Sequence, residues 1–192
     1  MRKAFTMLEL IFVIVVIGII SAVVLPRTDS NALSEAATDL VSKISYAQHL
    51  SRKEDKFGEN ASGVDWFKRR WQIRFTGNTY SVYSNNSTPN YALDPLTKEA
   101  IQNIDLNAKY SVTLSFSGTE CGTAISTGVY GISFDHMGRP ITGDLNTLTG
   151  AYVGTNAQLV VTDDCAIVLT HGTNTATINI EPETGHVTVS NP

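Results

Sequence analysis

From Phe5 to Leu25 the chain is almost unbroken apolar sequence, and one ionisable residue, Glu9, lies inside the run. A hydrocarbon core about 30 Å thick takes roughly 20 residues of helix, a length that this run meets. Met1-Arg2-Lys3 ahead of it is positive, which predicts a cytoplasmic start with the rest of the chain beyond the inner face. A cleavable secretory signal has an apolar core of about 7 to 15 residues and a small-x-small site. Here the core is longer and closes in "AVVLPR", so the plain reading is an uncleaved single-pass anchor. That reading leaves Glu9 unexplained, because a carboxylate in such a segment is costly and points to a functional role with a nearby partner.

The stretch "KAFTMLELIFVIVVIGIISAVVLP" resembles the N-terminus of the type IV pilin and pseudopilin superfamily. The matching features are a short basic leader, a small residue, Phe-Thr, Leu-Glu-Leu, then an apolar run with Gly18 and a closing Pro26. The resemblance implies that a prepilin peptidase cuts between Ala4 and Phe5 and methylates the new amine of Phe5. Ala4 stands where the family usually has Gly. Glu9 then lies one helical turn from a charged amine, and pairing the two offsets the cost of both. In the family the partner amine is that of a neighbouring subunit, so Glu9 is implied to set axial register during assembly. Gly18 and Pro26 mark the soft part of the helix.

Beyond Pro26, the residues Leu33, Ala37, Leu40, Ile44 and Ala47 recur at four-three spacing, continued by Leu50 or Ser51. This is one apolar stripe with Glu35, Asp39, Lys43 and His49 mostly off it. The helix is predicted to end near Arg52 or Glu54, before "KFGENASG".

From about Asp65 the period changes to two. In "RRWQIRF", Trp71, Ile73 and Phe75 alternate with Arg70, Gln72 and Arg74, which predicts a strand with one apolar and one solvated basic face. "TGNT" turns the chain into "YSVYS", and further strands are read in "YSVTLSF", "VYGISFD", "QLVVTDDCAIVLTH" and the hairpin "TATINIEPETGHVTVS". "GISFDHMGRPI" and "INIEPETGHVTV" loosely resemble the heads of H-type and FimT-like pseudopilins.

Cys121 and Cys165 are expected outside the cytoplasm, where thiols oxidise. They read either as a disulfide, worth about 4 kcal/mol through lost chain entropy, or as two free buried thiols. The four histidines, His49, His136, His171 and His186, lack ligand spacing. Asp135, Asp144, Asp163 and Asp164 fall at predicted turns and read as acidic residues in water. Some pseudopilins hold calcium in loops near the sheet, so calcium stays open, though no EF-hand pattern is present; no other cofactor or metal is expected. No nucleophile motif is present, and no catalysis is expected. "WFKRRWQIRF" interleaves aromatic and basic residues. Lys68, Arg69, Arg70 and Arg74 could form a nucleic-acid patch, but a solvated strand face is the simpler reading, and the formal net charge of −4 agrees with no nucleic-acid partner.

The expected fold is α+β and pilin-like: a long N-terminal helix, with a transmembrane half and an amphipathic half, packed on an antiparallel β-sheet head. The expected organisation is a leader at 1–4, a transmembrane and assembly part at 5–26, an amphipathic part at 27–54 and a β-rich periplasmic head at 55–192. The resemblance implies a pseudopilin or minor pilin of a type II secretion or type IV pilus-like filament. Its implied partners are prepilin peptidase, other subunits and an inner-membrane assembly platform with a cytoplasmic ATPase. Its implied place is the bacterial inner membrane, with an extracellular filament also open. The alternatives are a DNA- or surface-binding minor pilin, or a major pilin.

Overall fold

The computed structural model of the chain describes residues 6–24, 29–58, 65–84, 88–118, 121, 124–154, 157–159, 162 and 165–190. The N-terminal part forms two helices, α1 (Met7–Val24) and α2 (Asp29–Lys53), which corrects the expectation of one long helix with a transmembrane half. Among the described residues no helix is long and apolar enough to cross a membrane. The described part of α1 is short, and α2 is polar. Eighteen helical residues rise only about 27 Å, against a core of about 30 Å. Helix α2 carries Glu35, Asp39 and Lys43 along its course. Gly18 lies within α1; the leader 1–4, Phe5 and Pro26 lie outside the described residues.

Helix α2 buries the stripe Leu33, Ala37, Leu40, Ile44, Ala47, Leu50 and Ser51, together with Ala36. Ser34, Glu35, Thr38, Ser42, Ser45 and His49 face outward. The three alanines on the inner face let the helix backbone approach the strands closely. Arg52 and Lys53 occupy the last turn, where positive charge suits the helix dipole.

The head is two antiparallel sheets. The larger is ordered β3 (Asn90–Tyr91), β2 (Thr79–Ser84), β1 (Gln72–Thr76), β6 (Val129–Phe134), β7 (Pro140–Gly143), β10 (Ala157–Leu159), β9 (Val153–Gly154) and β8 (Leu148–Gly150), with β4 (Ile104–Asp105) also on β2. The smaller is ordered β13 (Val187–Ser190), β12 (Asn174–Ile180), β11 (Cys165–His171) and β5 (Thr113–Ser117). Helix α2 lies on β11, β12 and β13 and also touches β1, β2 and β6, so it covers the seam between the sheets. Register places inward side chains opposite one another: Ile73 faces Ile132 and Val82, and Ile167 faces Ile178 and Phe116. These residues, with the helix stripe, form the main core.

A short helix, α3 (Leu106–Tyr110), follows β4, and sequence periodicity gave no sign of it. Asp105 starts it by accepting from the amides of Asn107 at 2.8 Å and Ala108 at 3.0 Å. Cys121, between β5 and β6, is bonded to Cys165 at the start of β11, 44 residues away in sequence.

A second, smaller core contains Ile141, Leu145, Leu148 and Ala157, with Phe67 and Tyr152 against it. Strand β8 and the 3₁₀ turn Leu145–Thr147 return to the 3₁₀ turn Trp66–Arg69 that precedes β1. This return covers the strand face that alternation assigned to solvent. Arg70 and Gln72 are therefore buried rather than solvated.

Candidate functional site

The N-terminal feature is built on Thr6. Its carbonyl accepts from Leu10 N at 3.2 Å and its hydroxyl from Glu9 N at 3.3 Å, which satisfies amides at the start of α1. Glu9 sits in the first turn, where a carboxylate suits the helix dipole. From Met7 to Ser21 the residues are exposed, apart from Val16, which is partly covered. Met7 and Leu8 are 82% and 81% exposed, and Phe12 is 67% exposed. An all-round apolar helix in water is unfavourable, and such helices are normally buried. Nothing in the described part of the chain covers this one.

In the head, the strongest polar cluster lies below the C-terminal end of α2. Asp135 is fully buried, which corrects its reading as a turn residue in water. Its carboxylate accepts from the amides of Met137 at 2.9 Å and Arg139 at 2.8 Å, from Arg139 Nε at 2.7 Å and from the Tyr152 hydroxyl at 3.1 Å. Burial would raise its pKa, but the Arg139 amide and guanidinium outweigh it and hold the carboxyl below its ordinary value. Arg139 also donates to the Tyr152 hydroxyl at 2.9 Å.

Arg70 joins this cluster through Tyr152. Its guanidinium lies over the Trp66 ring at 4.9 Å and the Tyr152 ring at 5.0 Å, while Arg139 lies over Tyr152 at 4.9 Å. Its Nη1 donates to the Ala151 carbonyl at 2.6 Å. Burial lowers the Arg70 pKa. The cluster links four places: the turn before β1, the β6–β7 turn, the β8–β9 turn and, through Glu54, the end of α2. Trp71 Nε1 donates to Glu54 at 3.2 Å.

The four cations of the sequence patch do not form one surface. Arg70 is buried, Lys68 pairs with Asp65 at 3.3 Å, and Arg74 reaches the Tyr83 hydroxyl at 3.5 Å. Asp144 starts the 3₁₀ turn Leu145–Thr147 by accepting from Asn146 N at 3.0 Å; Asp163 and Asp164 lie outside the described residues. Among the described residues no group of three His, Cys, Asp or Glu side chains could hold a metal ion. Sequence reasoning missed Tyr152 and Arg139. Arg139 had one available signal, its place four residues after Asp135 across a Gly-containing turn, whereas Tyr152 had none.

Compared with family models, curated proteins and solved structures, the chain matches none.

Proposed function

We propose that the chain is a structural subunit, a pseudopilin or minor pilin, of a type II secretion or type IV pilus-like filament at the bacterial inner membrane, with its head in the periplasm. The observation that carries this reading is α1, an exposed helix that is apolar on every side and has no covering surface in its own described chain. Such a helix gains most by packing among copies of itself, or in lipid before it does so. The lone carboxylate near its start, Glu9, fits the same reading. Cleavage between Ala4 and Phe5 creates an amine that Phe5 methylation leaves charged, and Glu9 of an adjacent subunit neutralises it. That pair fixes the axial register of apolar helices, which van der Waals packing alone leaves free to slide. Prepilin peptidase, the other subunits and an ATPase-driven assembly platform are the partners this reading requires.

The test has two parts. Mass analysis of the purified chain is expected to find an N-methylated Phe5 at its start. Glu9→Leu is expected to reach the membrane normally and to fail to enter filaments when cross-linked particles are recovered. A chain still beginning at Met1 in peptidase-competent cells, or normal incorporation of the Glu9→Leu chain, overturns the proposal.

A further inference from the structure

We propose that the small cavity beneath the end of α2 is a binding site for a single carboxylate group, received by the Nε–Nη2 edge of Arg70. This inference is independent of the filament reading. Arg70 is 3% exposed, and its Nε and Nη2 atoms are buried with no hydrogen-bond partner. A buried guanidinium with two open donors is strongly disfavoured unless something accepts from them. The side chain lines a cavity of about 10 Å³, which it shares with Ser51, Glu54, Asp55, Trp66, Trp71 and His136. That volume admits one water-sized atom, such as one carboxylate oxygen, with the second oxygen toward the mouth.

Charge favours an anion over a neutral acceptor. Arg70 and Arg139 both lie against Tyr152. The buried carboxylate beside them, Asp135, is already engaged by Arg139, Tyr152 and two backbone amides. Glu54, at the rim, is held by Trp71 Nε1 at 3.2 Å and Lys56 at 3.3 Å. Asp55, which also lines the cavity, accepts from Phe57 N at 2.9 Å and acts on Arg70 through charge alone, so the guanidinium is left without a hydrogen-bonded carboxylate. The Nε–Nη2 edge of arginine matches a carboxylate's two oxygens, and the Trp66 and Tyr152 rings fix its plane. We place Phe57 at the entrance: its ring centroid lies 4.8 Å from that of Trp66 and 6.1 Å from that of His136, two lining residues, and it is 65% exposed.

The test titrates formate into the isotope-labelled full chain in detergent micelles while the Arg70 Nε–H resonance is followed. The expected result is a saturable shift, with half-saturation no tighter than roughly 1 mM for so small a ligand, and a rise in thermal midpoint with formate. Chloride at equal ionic strength is expected to produce neither. Arg70→Lys, which keeps the charge and loses the fork, is expected to abolish both responses. A linear, unsaturable shift or an equal response to chloride would mean an adventitious ion only and overturns the proposal. So does finding Arg70 Nε–H already bonded to Glu54 or Asp55 without formate. If Arg70→Lys does not fold, Phe57→Ala decides: it is expected to speed formate exchange, and an unchanged exchange rate overturns the proposal. A capped glutamate in place of formate distinguishes the source. Saturation by both supports a side-chain carboxylate of another protein, and saturation by formate alone supports a free small carboxylate.

Discussion

Gln48 donates its side-chain amide to the Gly138 carbonyl at 2.8 Å, although the two residues are 90 apart in sequence. The same nitrogen reaches the carbonyls of Thr184 and Gly185, each at 3.1 Å, so its two protons serve three acceptors. Gly138 belongs to the β6–β7 turn of one sheet, and Gly185 to the β12–β13 turn of the other. One helix side chain therefore latches both sheets to α2. Gln48→Ala is expected to lower unfolding stability by about 1–3 kcal/mol, because it leaves partly buried carbonyls without a donor. Urea denaturation measures this, and an unchanged midpoint would show that water replaces the amide.

The two glycines at this junction have different constraints. Both have positive φ, +88° at Gly138 and +64° at Gly185, where a side chain is strained. A Cβ on Gly138 would meet the guanidinium of Arg52, while one on Gly185 would meet the backbone oxygen of Gly138. A flexible side-chain end can retreat and a turn carbonyl cannot. Gly138→Ala is expected to cost about 1–2 kcal/mol and Gly185→Ala about 3 kcal/mol. In double-mutant cycles, Arg52→Ala is expected to relieve part of the Gly138→Ala cost and none of the Gly185→Ala cost. Equal relief in both cycles would contradict this assignment.

Legibility in the sequence followed the range of the interactions. The α2 stripe from Leu33 to Ala47 could be read because a helix repeats its contacts every three or four residues. The β12–β13 hairpin could be read because its turn residues are adjacent in sequence. Arg70 was misread for the opposite reason. Its alternation with Trp71 and Ile73 describes the local pleat correctly, but Tyr152 and Leu148, about 80 residues further on, come back over that face. Asp135 followed the same course: a turn position predicts water until Tyr152 and Arg139 close over it. The apolar run at the N-terminus was legible as composition. The helix described within it, Met7–Val24, is not long and apolar enough to cross a membrane.

The Cys121–Cys165 bond closes a loop of 44 residues that contains β6 to β10. Opening it frees that loop in the unfolded chain and is expected to cost about 4 kcal/mol. Urea midpoints of the oxidised chain and of Cys121→Ala/Cys165→Ala measure the difference. Both sulfurs sit in the main core, and the alanines lose little packing by comparison, so equal midpoints would mean the entropy of this loop is not limiting.

Acid sensitivity is expected at the contact between α2 and the 93–100 loop. Lys43 pairs with Asp94, and Tyr46 donates to the Leu93 carbonyl at 3.0 Å. The Lys43 ammonium, aided by the amides of Leu96 and Thr97, lowers the Asp94 pKa from 3.8 to about 2. A carboxyl depressed on folding stabilises the native state above its ordinary pKa, and this contribution is lost as the pH falls through the folded value. The contact should therefore be intact at pH 7 and weaken between about pH 4 and pH 2. Asp94→Asn keeps an oxygen for the two amides and removes the charge. It is expected to cost about 1 kcal/mol at pH 7, with the gap to the parent chain closing toward pH 2. A gap that persists at pH 2 would assign the effect to packing.

Finally, α1 should contribute nothing to the stability of the head. Among the described residues it buries no side chain, while the main core runs from Leu33 to Ile180. Removing residues 1–28 deletes the exposed apolar helix and leaves α2, its stripe and both sheets. The shortened chain is expected to remain in solution without detergent and to unfold at the same urea midpoint as the full chain in mild detergent. A lower midpoint, or loss of the Gln48 and Lys43 contacts as amide exchange reports them, would mean that α1 supports α2. Retention of the midpoint would assign α1 wholly to contacts outside its own chain.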